Sequence, residues 1–241
     1  MNDYRGSHLA PYCAARFDGH YTHGKGQLYW QNFEKPYLEK LFARLGQECP
    51  GRYLDFACGT GRILQLGFPH FAESVAIDVS DVMLAEARRR VPGARFIKAD
   101  VMVNPPQTDT FNVISLFRFI LSAEHYLREG VLFWLRSVIA RDGVLILNNH
   151  LNKWSPLGII HRLDKIRHGR PGASPSDRDM ERLLQQCRFK VFERYGFGVV
   201  PPWRDRRPFP STPLLYLERL LGKSKMLQNY AKDRIYLCHP I

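Results

Sequence analysis

Short apolar runs alternate along this chain with longer stretches in which apolar residues recur every three or four positions. The runs Arg52–Ala57, Ser74–Asp78, Arg95–Lys98, Phe111–Leu116 and Val144–Leu147 have the length and the branched or aromatic content of buried strands. Between them Pro36–Leu45, Asp81–Arg90 and Glu124–Ile139 read as helices. Pro36 opens the first and Gly46 stops it. Ser80 caps the second, with Asp81 suited to its positive end. Leu127, Val131, Trp134, Leu135 and Val138 fall on one face of the third. Arg141-Asp142-Gly143 turns the chain into the fifth strand. Strands alternating with helices predict a mostly parallel sheet covered on both faces. After residue 150 the order changes. A basic segment, 151–170, holds a helix; Ser176 caps another that ends near Cys187. Phe189–Phe197 and Arg234–Cys238 are closing strands, and the stretch 198–213, with five prolines, reads as a loop.

The length of 241 residues suits one α/β domain over 1–241. Within it, 1–46 forms an N-terminal lid and helical segment, 51–150 the ligand-binding core, and 151–241 an acceptor-side insert with the closing strands. Hydrophobic residues at 45% are enough for a core, which excludes a disordered chain. The formal charge of +12 favours acidic partners: nucleic acid, anionic lipid, or an acidic substrate. No run reaches the ~18 apolar residues of a membrane span, and residues 1–20 lack the apolar centre of a secretion signal. Cys13, Cys49, Cys58, Cys187 and Cys238 are scattered, without a C-x-x-C pair. Neither a disulfide framework nor a zinc site is expected, and a cytoplasmic setting is.

The chemistry concentrates in Asp55-Phe56-Ala57-Cys58-Gly59-Thr60-Gly61-Arg62, between a strand and a helix. Small residues at 57, 59 and 61 let a backbone approach a ligand closely. A dinucleotide fingerprint is the rival reading, but Leu64 stands where its third glycine belongs. Asp55 would also repel a pyrophosphate, whereas it could accept from an ammonium group. Asp78 ends strand two, where a carboxylate accepts from both ribose hydroxyls. Asp100 follows strand three and can accept from an adenine amino group, with the Val101 amide facing the ring. Three acids at the carboxyl ends of successive parallel strands share one crevice.

These segments, with Ala76-Ile77-Asp78-Val79-Ser80, Lys98-Ala99-Asp100-Val101 and Gly143-Val144-Leu145-Ile146-Leu147, resemble the class I S-adenosylmethionine (SAM)-dependent methyltransferases. Ala57 replaces the first glycine of the commonest loop. The resemblance implies a Rossmann-like, seven-stranded, mostly parallel sheet with helices on both faces and an antiparallel last strand. It implies SAM as cofactor, contacted by Asp55, Ala57, Cys58, Gly59, Gly61, Asp78, Val79, Asp100, Val101 and Leu116. The acceptor belongs near the ends of strands four and five, with His150 as general base and Tyr21, Arg118 and Asn149 as acceptor contacts. Asn104-Pro105-Pro106 precedes strand four and reads as a turn, unlike the motif of amino methyltransferases. Asn148 and Asn149 are poor ligands for a hard cation, so no metal is expected. Phe117–Glu124 and Asn148–His150 are similar to methyltransferases of bacterial surface-glycan synthesis. That resemblance implies O-methylation of a sugar or carrier-linked hydroxyl. The basic residues of 151–170, interleaved with Trp154, Leu157, Ile160 and Leu163, suit that segment to an acidic acceptor or an anionic membrane surface. The alternative is an RNA-binding or regulatory SAM-binding protein with little turnover; nucleic acid is the less favoured partner, since no RNA-binding motif is appended.

Overall fold

The computed structural model describes residues 24–169, 174–200 and 211–241, together with the isolated positions 6, 14 and 19. Seven strands form one sheet: β1 (Arg52–Phe56), β2 (Glu73–Asp78), β3 (Arg95–Lys98), β4 (Phe111–Leu116), β5 (Ile139–Asn149), β6 (Phe189–Phe197) and β7 (Asp233–Pro240). Their spatial order is β3-β2-β1-β4-β5-β7-β6. Neighbours from β3 to β5 are parallel, and β7 runs antiparallel to both β5 and β6. This is the Rossmann-like sheet with one reversed strand.

Nine helices among the described residues surround it: α1 (Gly24–Tyr29), α2 (Lys35–Glu48), α3 (Leu64–Gly67), α4 (Asp81–Arg90), α5 (His125–Val138), α6 (Pro156–Arg167), α7 (Asp177–Gln186), α8 (Ser211–Leu221) and α9 (Lys225–Gln228). A π-helical turn, Trp30–Glu34, joins α1 to α2 without a break. Alternation along the strands divides the core in two. Leu54, Phe56, Ile114, Leu116, Leu145 and Leu147 face α5 and α7, meeting Leu127, Val131, Leu135, Met180 and Leu184. Tyr53, Ala76, Val113, Ile146 and Leu237 face the other way, onto Leu38, Phe42 and Leu45 of α2 and Leu84 and Ala87 of α4.

Local chemistry sets the ends of the elements. The Ser80 hydroxyl accepts from the Met83 N–H at the start of α4. Ser176 and Asp179 form a reciprocal capping box on α7. Four sequence expectations change. Gly46 does not stop α2, which runs on to Glu48; a Cβ at that position would lie 2.6 Å from the His70 carbonyl oxygen, so the glycine serves close packing instead. Arg141-Asp142-Gly143 is an excursion within the long strand β5: Ile139 pairs with Phe111 and Val144 with Val113, so the intervening residues bulge out. The glycine turn after β1 opens only the four-residue α3, which passes into a tight turn at Phe68–His70. The proline-rich stretch gives way to α8 already at Ser211, because Pro213 in a first helical turn forfeits no intrahelical bond.

Candidate active site

The carboxyl ends of β1, β2 and β3 open onto a slot lined by Phe56, Ala57, Ile77, Asp78, Val79, Ala99, Asp100, Val101, Phe119, Leu127 and Val131. Its walls are apolar, and its polar groups are the two carboxylates at the ends of β2 and β3. The loop beneath it is tightly wound. Ala57, Gly59 and Gly61 all have left-handed backbones, with φ of 52°, 54° and 78°. A Cβ on Gly61 would lie 3.0 Å from the Ala87 Cβ, so α4 packs against this loop as closely as a glycine allows.

Asp78 organises that loop. Its Oδ2 accepts from the Gly59 N–H at 2.8 Å and its Oδ1 from the Ser80 N–H at 3.0 Å. Asp100 is less enclosed, with Oδ1 accepting from the Met102 N–H at 3.0 Å. An apolar slot with a fixed carboxylate at one side and a second at the next strand fits an adenosine: a flat ring between aliphatic walls and ribose hydroxyls on Asp78. Val79 and Val101 line the slot. Cys58 is buried, with its N–H donated to the Ile77 carbonyl, and burial among Asp78 and Asp55 pushes its thiol well up.

Two expected contacts move inward. Asp55 is 1% exposed. Its Oδ1 accepts from the Ser115 hydroxyl at 2.6 Å and its Oδ2 from the Leu64 N–H at 2.9 Å. Tyr53 extends the chain, its hydroxyl 2.7 Å from Ser115 Oγ. The carboxylate thus laces β1, β4 and the start of α3 together, in place of the expected ammonium contact. Burial raises its pKa to about 7, against the lowering effect of those hydrogen bonds and of Arg62. The Leu116 side chain is fully buried on the α5 side of the core. The odd positions of β4 look the other way, and this one packs instead of touching the slot.

Further along the same edge, β4, β5 and β7 gather charges that the sequence pattern does not reveal. Arg118 has a left-handed backbone (φ 59°) stabilised by its N–H donating to Asn148 Oδ1 at 2.7 Å. Its guanidinium donates to Glu34 Oε2 at 3.1 Å and lies 3.8 Å from Asp233 Oδ1. Arg62 is 4.0 Å from the same Glu34 oxygen and stacks 3.9 Å over the Trp30 ring. Lys232 pairs with Asp233, whose carboxyl burial pushes upward. Glu34 reaches this cluster from the π-helical turn, which rotates it inward; wide turns of this kind recur at functional sites. Among the described residues, the Asn148 Nδ2 amine is buried without a hydrogen-bond partner.

Of the remaining predicted residues, Asn149 is fully buried, and its amide is committed to the chain: Nδ2 donates to the Pro175 carbonyl at 2.8 Å and Oδ1 accepts from the Leu151 N–H at 3.2 Å. It fixes the exit from β5 and is no acceptor contact in this structure. Its neighbour Asn148 instead reaches Arg118. His150 is half-buried just past the strand. Tyr21 and the basic cluster Trp203–Arg207 lie outside the described residues. Glu34, Arg62 and Asp233 went unread because they meet only through the fold. The slot-lining Leu127 and Val131 are legible in sequence only as a helix face.

Residues 54–143 match the family model described as a methyltransferase domain. The chain is 36% identical over 77 residues to the trans-aconitate 2-methyltransferase of Acidovorax sp. (strain JS42), a match covering 30% of each. It is 34% identical over 76 residues to the malonyl-[acyl-carrier protein] O-methyltransferase of Enterobacter lignolyticus (strain SCF1), covering 32% of this chain and 30% of that one. The chain thus spans about 30% of the length of these curated relatives. In fold it is similar to the magnesium protoporphyrin IX methyltransferase of Synechocystis PCC 6803 with bound S-adenosylhomocysteine (TM-score 0.65, 16% identity, 98% of each chain). It is also similar to the N-methyltransferase NodS of Bradyrhizobium japonicum WM9 in complex with the same product (TM-score 0.60, 11% identity, 99% of each chain). The sheet order is the Rossmann-like fold of these methyltransferase structures, and residues 54–143 match the methyltransferase-domain model.

Proposed function

We propose that this protein is a SAM-dependent O-methyltransferase whose acceptor is a carboxylate, carried on a small acid or on a carrier. SAM supplies an electrophilic methyl group on a sulfonium. A carboxylate oxygen forms the new C–O bond as the C–S bond breaks, and the electron pair stays on sulfur, giving a methyl ester and S-adenosylhomocysteine. Asp78 and the 57–61 turn hold the nucleoside and its amino-acid tail. The residues at the ends of β4 and β5 orient the acceptor.

The observation that carries the carboxylate reading is the amide of Asn148. Its oxygen is spent on the Arg118 N–H, and its amine is buried with no partner among the described residues. A buried donor left unsatisfied costs on the order of 1–3 kcal/mol. An anionic oxygen seated at this edge supplies the partner and meets the guanidiniums of Arg118 and Arg62 nearby. The relatives named for trans-aconitate and malonyl-acyl carrier protein act on carboxylic acids, which turns the reading from a sugar hydroxyl toward a carboxylate. A carboxylate is already ionised at neutral pH, so no base is required and His150 is released from proton abstraction.

The test is transfer of labelled methyl from SAM to a panel of di- and tricarboxylic acids and acyl-carrier thioesters. Mild alkali should release the label as methanol, as from an ester, and His150→Ala should retain most of the turnover. Alkali-stable label together with loss of activity in His150→Ala would restore the hydroxyl acceptor. For the cofactor, Asp78→Ala should weaken S-adenosylhomocysteine binding at least about tenfold by calorimetry, since it removes the ribose acceptor and frees the Gly59 and Ser80 amides. An unchanged affinity would move the cofactor away from this slot.

A further inference from the structure

Helix α6 is anchored at one end and bare along the rest. The Ser155 hydroxyl accepts from the Gly158 N–H at 3.0 Å and donates to the Asn152 carbonyl at 2.7 Å. Gly158 is the one buried residue of the helix, and a Cβ there would lie 2.0 Å from the Asn152 carbonyl oxygen, so the first turn sits directly on the chain below. Asn152 in turn donates to the carbonyls of Asn229 and Ala231, just before β7. Beyond that root the apolar side chains face solvent: Ile160 is 56% exposed, Leu163 61% and Ile166 65%, with Ile159 and Trp154 also exposed. Ile159, Leu163 and Ile166 recur at helical spacing on one side. Lys153, Arg162, Lys165 and Arg167 flank them, against the single acid Asp164.

We propose that α6 is an in-plane docking helix for an anionic lipid bilayer. A contiguous apolar stripe left in water marks an interaction surface. A basic margin beside such a stripe fits lipid headgroups, with the apolar side chains entering the acyl boundary. The partner is a bilayer rather than an acidic protein because the stripe is continuous, short and edged by cations, on a chain whose formal charge is +12. The root of α6 follows His150 directly, so docking sets the acceptor edge of the sheet against the membrane plane. The inference rests on the surface of α6 and is independent of which acceptor is methylated.

Flotation of the full chain with vesicles of phosphatidylcholine containing about 30% phosphatidylglycerol tests it. The protein should float with these vesicles, should stay in the dense fraction with phosphatidylcholine alone, and should detach as salt rises. Trp154 fluorescence should shift to the blue on binding. The double variant Leu163→Glu/Ile166→Glu should lose at least about tenfold in bound fraction while binding S-adenosylhomocysteine as wild type does, since both positions are exposed. Flotation of the variant equal to wild type would overturn the proposal. So would absence of wild-type flotation, whether or not sedimentation then shows a dimer that the variant abolishes.

Discussion

Asp55 is a carboxylic acid held where water does not reach, and its environment makes a pH-dependent claim. Burial raises its pKa to about 7, so the folded state binds its proton more tightly than the unfolded chain does. The contribution is therefore fully present below the unfolded value and is lost as pH rises toward 7, with a slope of at most about 1.4 kcal/mol per pH unit. Asp55→Asn keeps an acceptor for the Leu64 N–H and offers a donor to Ser115. Stability from denaturant unfolding should fall less between pH 5 and 8 in this variant than in wild type; parallel curves would mean that Asp55 ionises normally. Gly61 makes a steric claim. Alanine there must adopt a φ of 78° and press on Ala87. The left-handed backbone costs about 1–2 kcal/mol, and the crowding adds about 1 kcal/mol or more. Gly61→Ala should lower unfolding free energy by about 2–3 kcal/mol. Ala57, also left-handed at 52°, has a methyl group where glycine would be relaxed, so Ala57→Gly should be neutral or slightly stabilising in the same measurement.

At the scale of elements, the capping box of α7 is a separable contribution. Ser176→Ala removes an acceptor for the Asp179 N–H and should cost about 1 kcal/mol in thermal or denaturant unfolding. The Ser176 cap is legible in sequence, because it precedes a helical run and needs no distant partner; its reciprocal pairing with Asp179 emerges only in the structure. α4, β3, β4 and β6 begin and end where hydrophobic spacing and capping residues place them. What sequence reading missed required tertiary contact. The π-helical turn at Trp30–Glu34 has no periodic signature, since one extra residue is accommodated only when Glu34 finds Arg118 and Arg62. α8 hid behind its own proline. The turn at 57–61 and the slot-lining positions 78, 79, 100 and 101 sit on local backbone that strand and turn spacing alone predicts. Asn148 and Asn149 are equivalent in sequence, and only the orientation of β5 decides which of them reaches Arg118.

The whole molecule is held at its closing side by Arg234, which is 2% exposed. Its guanidinium grips both oxygens of Asp177 at 3.1 and 2.8 Å and donates to the Gln228 carbonyl at 2.7 Å, joining β7, α7 and α9. Tyr236 adds its hydroxyl to the same carboxylate. Arg234→Ala should cost about 2–4 kcal/mol, because it strands a partly buried carboxylate and a buried carbonyl. A loss under 1 kcal/mol by urea unfolding would show that the junction is redundant. The position of β7 has one more consequence. It follows β6 along the chain but lies between β5 and β6 in the sheet, and among the strands β6 bonds to it alone. During synthesis, then, β6 leaves the ribosome with nothing to zip onto. It waits as an unclosed ribbon until Asp233–Pro240 has cleared the exit tunnel and slipped into the gap beside β5.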